Sequence, residues 1–151
     1  MRGKVREEGA GGIGVMLPEP ALGADWGMQS AANLRVTGEA MELAVLTYRV
    51  TGAFPARERY GLSEQMRRAA VSVGSNISEG CGRAGNAALV SFLHIAMGSA
   101  AELEFQVDLA AKLGLGPADG LAELSEQCAS VKRMLSRLIV ALRQRPDKSA
   151  G

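Results

Sequence analysis

The nearest thing to a catalytic set in this sequence is Ser75 or Ser91 with Glu79 and His94, the single histidine. A nucleophilic serine needs a base within hydrogen-bond reach and an oxyanion site, which strained turns usually supply. Both serines fall inside helix-patterned stretches, where the backbone N–H groups are already used. Nucleophilic catalysis is therefore not expected. One histidine excludes a histidine-rich metal site, and the Glu-x-x-His pairs of di-metal bundles are absent. Cys81 and Cys128 show neither metal-ligand spacing nor a disulfide framework. They read as core or boundary thiols in a reducing compartment. No catalytic residue, metal or cofactor is expected.

A second group of polar residues asks for a structural account. The stretch "SNISEG" (75–80) puts Asn76 and Gly80 on the apolar stripe of a helix. Gly98, Ser99 and Glu102 form a similar insertion further on. Each helical glycine costs on the order of 1 kcal/mol against alanine, which close approach of two backbones would offset. The chain turns near residue 85, so positions whose numbers add to roughly 170 should face each other at about 1.5 Å rise per residue. That sets Gly80 near Val90, Ser72 near Gly98 and Asn76 near His94. Asn76, Glu79 and Arg83 share one face. Asn76, Glu79, Gly80, Gly98, Ser99 and Glu102 are read as a polar and close-packing motif that fixes register inside the bundle or at a subunit contact.

The cations form two groups. Arg57, Arg59, Arg67 and Arg68 lie near the first turn, with Glu64 four residues before Arg68 and with Glu102 and Glu104 expected at the level of Arg67 and Arg68. This group should neutralise itself. The second contains Lys132, Arg133, Arg137, Arg143, Arg145 and Lys148, and an up-down bundle would put Arg83 at the same end. Asp119, Glu123 and Glu126 start that helix and the bases end it, which complements the helix dipole. Clustering of this kind also suits phosphate. Arg83, Arg133, Arg137, Arg143 and Arg145 are therefore the candidate contacts to an anionic partner. No aromatic residue interleaves with them, which argues against base stacking.

The elements that must position these residues are helices. The chain has 151 residues, 47% hydrophobic but only 4% aromatic, so its core is built from Ala, Leu, Val, Ile and Met. Seventeen basic residues against 16 acidic give a net charge of +1, so no global field attracts nucleic acid or membrane. Four segments carry helical periodicity, about 37–51, 62–83, 87–113 and from Pro117 to about 145. The stripes are Leu62, Met66, Ala69, Val73, Asn76, Gly80; Leu89, Leu93, Ala96, Ala100, Leu103, Val107, Ala110; and Leu121, Leu124, Cys128, Val131, Leu135, Leu138, Leu142. Short turns between such stripes predict an all-α, antiparallel up-down-up-down four-helix bundle. Asn86 is a candidate N-cap. Residues 1–33 are rich in glycine and proline and are expected to be a disordered tail, residues 34–145 the bundle, and 146–151 a flexible end. No 18-residue apolar run or clear signal sequence is present, so a cytoplasmic protein without a membrane span is expected.

Three ordered blocks, "YRVTGAFPARERYGLSEQMRRAAVSVGSNISEG" (48–80), "FLHIAMGSAAELE" (92–104) and "LAAKLG" (109–114), carry a resemblance. Over about residues 34–143 the chain resembles the small bacterial four-helix bundles that include the proteins encoded in 23S ribosomal RNA intervening sequences. Avd, the accessory protein of diversity-generating retroelements, belongs to that group. The resemblance implies an up-down bundle, a ring-like homopentamer and no known enzymatic activity. Avd-like members bind nucleic acid and a reverse transcriptase through a basic surface. This chain has Ser78 where alanine is usual and Met97 where arginine is frequent, and it is far less basic than the Avd-like members. The expectation is a homo-oligomeric scaffold associated with RNA or DNA; the alternative is an accessory subunit that binds a reverse transcriptase.

Overall fold

The computed structural model describes residues 26–145, with side chains from residue 31. Of the tail expected over residues 1–33, residues 1–25 lie outside the described residues, as does the end over 146–151, whereas residues 26–33 are helical and open α1. Four helices follow in order: α1, Trp26–Gly52; α2, Leu62–Cys81; α3, Asn86–Lys112; and α4, Ala118–Arg143. A short 3-10 turn, Ala56–Glu58, lies between α1 and α2. No strand occurs among the described residues.

Helix α1 starts eleven residues before the expected Thr37. Between Gly27 and Gly38 there is neither glycine nor proline, and Ala31, Ala32, Leu34 and Arg35 are good helix formers. Once the packed part of α1 is nucleated, each such residue adds one hydrogen bond. Packing starts later, at Val36, the first buried side chain. The α3–α4 turn closes with a Schellman motif. Leu115 N donates to Ala110 O (3.0 Å) and Gly114 N to Ala111 O (3.2 Å), with Gly114 at φ 66° and Leu115 buried. Gly85, at φ 90°, precedes α3, so Asn86 is the first residue of the helix and not its N-cap.

Contacts link α1 to α2, α2 to α3, α3 to α4 and α4 back to α1, so α1 faces α3, and α2 faces α4, across a diagonal. Side-chain pairs give the directions. Arg67 meets Thr51 while Gly74 approaches Ala40. Ser72 meets Ser99 while Gly80 approaches Leu89 and Phe92. Lys132 meets Glu104 while Arg143 meets His94. Gln127 meets Glu39 while Gly120 approaches Val50. In every pair one number rises as the other falls, so adjacent helices run in opposite directions.

The core contains every residue of the stripes expected on α3 and α4, joined by Ile139 and Gln106. On α2 the stripe needs one correction. Ile77 is fully buried, whereas Asn76 is only half-buried at the edge. The chain thus spends its apolar side chain on the core and turns the amide towards the α2–α3 seam. Thr47 and Thr51 are buried on α1, and their hydroxyls donate to Leu43 O and Thr47 O at 2.7 Å, so neither costs an unpaired group.

Apolar surface is unevenly left over. Helix α1 exposes Leu34, Met41, Val45 and Tyr48, and α3 exposes Ile95, Phe105 and Leu109. On α2 and α4 only Val71 and Val140 are large, apolar and exposed. Helix α3 is also the one described helix long and apolar enough to cross a membrane; one of its faces forms the bundle core.

Candidate nucleic-acid interface

The five candidate arginines do not form one cluster. Arg83 follows α2, and its guanidinium pairs with Glu79 at 2.6 Å and lies 5.6 Å over the ring of Phe92. Helix α4 is across the diagonal from it. On α4, Arg143 donates to Nε2 of His94 at 2.8 Å; guanidinium has no acceptor, so the imidazole nitrogen accepts. Arg133 and Arg137 are one turn apart on an exposed flank of α4. Arg133 lies about 15 Å along the helix from Arg143, near the middle of the bundle. Arg133, Arg137 and Arg145 are exposed, and their side chains have no ion pair or hydrogen bond among the described residues. Lys132 is occupied by Glu104 at 3.0 Å. Arg133 and Arg137 thus put free positive charge on one flank of α4, with Arg145 just past its end; Arg35, Arg49, Arg57 and Arg59 are likewise exposed without an ion pair among the described residues.

The packing motif divides. A Cβ on Gly80 would stand 2.8 Å from Phe92 Cβ and 3.0 Å from Leu89 Cδ1, so only glycine lets α3 come this close. Asn76 Nδ2 donates to Ser72 O at 2.8 Å and to Ser72 Oγ at 3.1 Å, and Ser72 Oγ meets Ser99 Oγ at 2.8 Å. This polar seam bridges α2 and α3. His94 is not part of it, because the imidazole points away to Arg143. Glu102 accepts from Gln106 Nε2 at 3.3 Å. Gly98 departs from the expectation altogether. It is exposed, and a Cβ there would meet nothing within 4 Å. Its facing partner across the seam is supplied by Ser99, one residue on, and Gly98 points outwards.

The first cation group is also arranged differently from the reading of the sequence. Arg68 pairs with Glu64 at 2.7 Å, but Arg67 meets neither Glu102 nor Glu104. Its Nε donates to Thr51 Oγ1 at 2.8 Å, and its guanidinium lies 4.6 Å over the ring of Tyr48. This stack holds Tyr48 upright on the α1 surface. The sequence carries only an indirect signal for it, Tyr48 and Thr51 one turn apart at the end of a helix that precedes a turn and an arginine pair.

The thiols are not poised for chemistry. Cys128 is fully buried, and burial first, then the Glu104 carboxylate, push its thiol up to about 12; Lys132 opposes them, and Asp108 adds a smaller push upwards. Cys81 is exposed at the end of α2, and partial desolvation raises its thiol as well. Among the described residues no three His, Cys, Asp or Glu side chains converge to hold a metal ion.

The architecture defines a small up-down helical bundle with a cationic flank and no convergent reactive set among the described residues. A sequence model of the 23S rRNA-intervening sequence proteins matches residues 32–137, and the chain belongs to that family. Among solved structures it is similar to a protein of unknown function from the S23 ribosomal protein family of Bacteroides thetaiotaomicron. The TM-score is 0.67 at 20% identity, over 72% of this chain and 98% of that one. At that identity the likeness speaks for the fold. No curated protein matches the chain.

Proposed function

We propose that the protein is a non-enzymatic, homo-oligomeric scaffold of the cytoplasm that associates with RNA through the exposed flank of α4. One observation carries the RNA part: Arg133, Arg137 and Arg145 are exposed with no carboxylate partner among the described residues, on a chain of net charge +1. Arg68, Arg83 and Lys132 are compensated by Glu64, Glu79 and Glu104, while Arg35, Arg49, Arg57 and Arg59 are also exposed without an ion pair among the described residues but do not together share one helix flank. Unpaired guanidinium groups along a helix and just past its end suit a phosphate backbone. Oligomerisation is supported by the apolar surface left on α1 and α3, and the family resemblance suggests five subunits in a ring.

Anisotropy of a labelled RNA, titrated across a salt series, tests this reading. Each phosphate contact contributes about 0.7 to the log–log salt slope on single strands. The triple reversal Arg133→Glu, Arg137→Glu and Arg145→Glu should flatten the slope by about 2 and abolish binding at moderate salt. Binding that is absent at low salt, or unchanged in the triple variant, refutes it.

The near-neutral net charge favours a second reading, an Avd-like accessory subunit whose partner is a reverse transcriptase. Co-purification with such an enzyme that survives nuclease treatment would support it, and loss of the enzyme on nuclease treatment would oppose it.

A further inference from the structure

The chain has two tyrosines, and both line one groove. The groove measures about 480 Å³, a size that suits a small ligand. Tyr48 comes from α1, Arg59 and Tyr60 from the connection after it, and Glu64, Arg67 and Arg68 from the first turns of α2. The site is therefore complete within a single chain. It lies at the opposite end of the bundle from Arg143 and Arg145, because α4 starts beside Val50, where α1 is about to stop.

The side chains of this groove have capacity that the fold does not use. Tyr60 is 85% exposed, more than any other large hydrophobic side chain among the described residues. Arg59 is exposed without an ion pair among the described residues. The carboxylate next to it in sequence is turned elsewhere: Glu58 Oε2 accepts from Leu62 N at 3.3 Å, at the start of α2. Arg67 is fixed at two points, by Nε on Thr51 Oγ1 and by its plane over the Tyr48 ring. Its two terminal nitrogens make no hydrogen bond among the described residues, so they are positioned donors with nothing to donate to. Glu64 holds Arg68 at 2.7 Å and is the one carboxylate in the lining. Three guanidinium groups less this carboxylate leave the groove with two positive charges. A phosphate monoester carries about −1.5 to −2 at pH 7 and would neutralise them.

Aromatic rings interleaved with cations are what the α4 flank lacks. Ring faces stack a nucleobase, and guanidinium forks take a phosphate. Phosphate alone would leave the rings unused, and an uncharged aromatic ligand would leave the arginines unused. A nucleotide uses both. We propose that this groove binds a free nucleoside monophosphate, with its base on Tyr60 and its phosphate on Arg59 and the free donors of Arg67 and Arg68. Glu64 orients Arg68 and opposes further negative charge, which favours one phosphate over three. Stacking tolerates every base, so the ligand class is the nucleotide and not one nucleobase. The Arg67–Tyr48 stack is formed before the ligand arrives, so binding orders fewer side chains.

Calorimetric titration of the full chain with adenosine 5′-monophosphate tests this, with adenosine and ribose 5-phosphate as the two halves of the ligand. One nucleotide should bind per chain, about tenfold or more tighter than either half, because stacking and charge-assisted hydrogen bonds both contribute. Tyr60→Ala and Arg59→Glu should each weaken it by about tenfold or more. Helical circular dichroism should be unchanged in both, since both side chains are exposed. The triple reversal on α4 should leave nucleotide binding unmoved, which separates this site from the RNA reading above. No binding at millimolar nucleotide, equal binding of the nucleotide and ribose 5-phosphate, or an affinity unchanged in either variant overturns the site. A 5′-phosphorylated RNA oligonucleotide that binds much more tightly than the mononucleotide, and loses that advantage in Tyr60→Ala, overturns the free nucleotide as occupant and assigns the groove to a strand end.

Discussion

Helices α2 and α4 have one apolar face each, whereas α1 and α3 have two. All four contribute a seam to the core, and α2 and α4 then turn polar side chains outwards, as a surface helix of a soluble domain does. Helices α1 and α3 do not. Their outer faces repeat the apolar periodicity of their inner ones, and they lie on opposite corners of the bundle. A helix apolar on both sides is normally covered on both sides. The difference between the two pairs thus separates residues that make the fold from residues that the proposed assembly would use.

The two glycines on the α2–α3 hairpin put that contrast at single-residue scale, and changing them has the largest expected effect. At Gly80 a Cβ would collide with Phe92 and Leu89. Gly80→Leu should therefore unfold the chain or separate its helices, since overpacking a dense seam costs about 1–3 kcal/mol or more. Loss of the cooperative thermal transition would be the sign. Gly98→Leu should leave the subunit folded and change only its association. Equal damage from both substitutions would break the distinction between inner and outer faces.

Next come two neighbouring apolar residues of α3 that face opposite ways. Leu93 is fully buried and Ile95 is 51% exposed. Leu93→Ala should destabilise by about 2–5 kcal/mol. Ile95→Ala, with its side chain half exposed, should cost well under half as much in denaturation at low protein concentration. Protein concentration must be matched, because assembly adds to apparent stability by mass action.

A smaller effect sharpens the contrast from inside the core. The Cys128 thiol is raised in the folded state from an ordinary value of 9.0 to about 12. The unfolded chain therefore releases this proton at lower pH than the folded one. The stabilisation is fully present below about pH 9 and is lost as pH rises towards 12, with a slope of up to about 1.4 kcal/mol per pH unit. Urea melts between pH 8 and 11 should show this decline, and Cys128→Ala should flatten it. The smallest effect is at the outer edge. Arg67→Ala removes one hydrogen bond to Thr51 and the stack on Tyr48, so about 1 kcal/mol of subunit stability should go, as read from a shift in the urea midpoint.

The seams of α3 and α4 were fully legible because unbroken 3-4 spacing admits one buried face. Helix α2 was less so. Asn76 and Ile77 are adjacent, and a stripe drawn through either keeps the heptad spacing; only the facing helix decides which one enters the core. The Gly80 contact followed from simple counting across the turn, but the same counting assigned Gly98 inwards, one residue out of phase, where Ser99 makes the contact. An error of one residue is about 100° on a helix, enough to exchange an inner face for an outer one. The cationic site was the least legible part. The up-down topology put Arg83 at the same end of the bundle as the α4 arginines, although α2 and α4 share no contact. The i, i+4 spacing of Glu79 and Arg83 allowed their pairing, but nothing in the sequence set His94 against Arg143.

The most direct test of the central claim, that the outer faces of α1 and α3 are subunit contacts, is the light-scattering mass of the purified full chain at micromolar concentration. The account predicts a discrete multiple of 15.8 kDa. A mass of 15.8 kDa, unchanged as concentration rises, would contradict it.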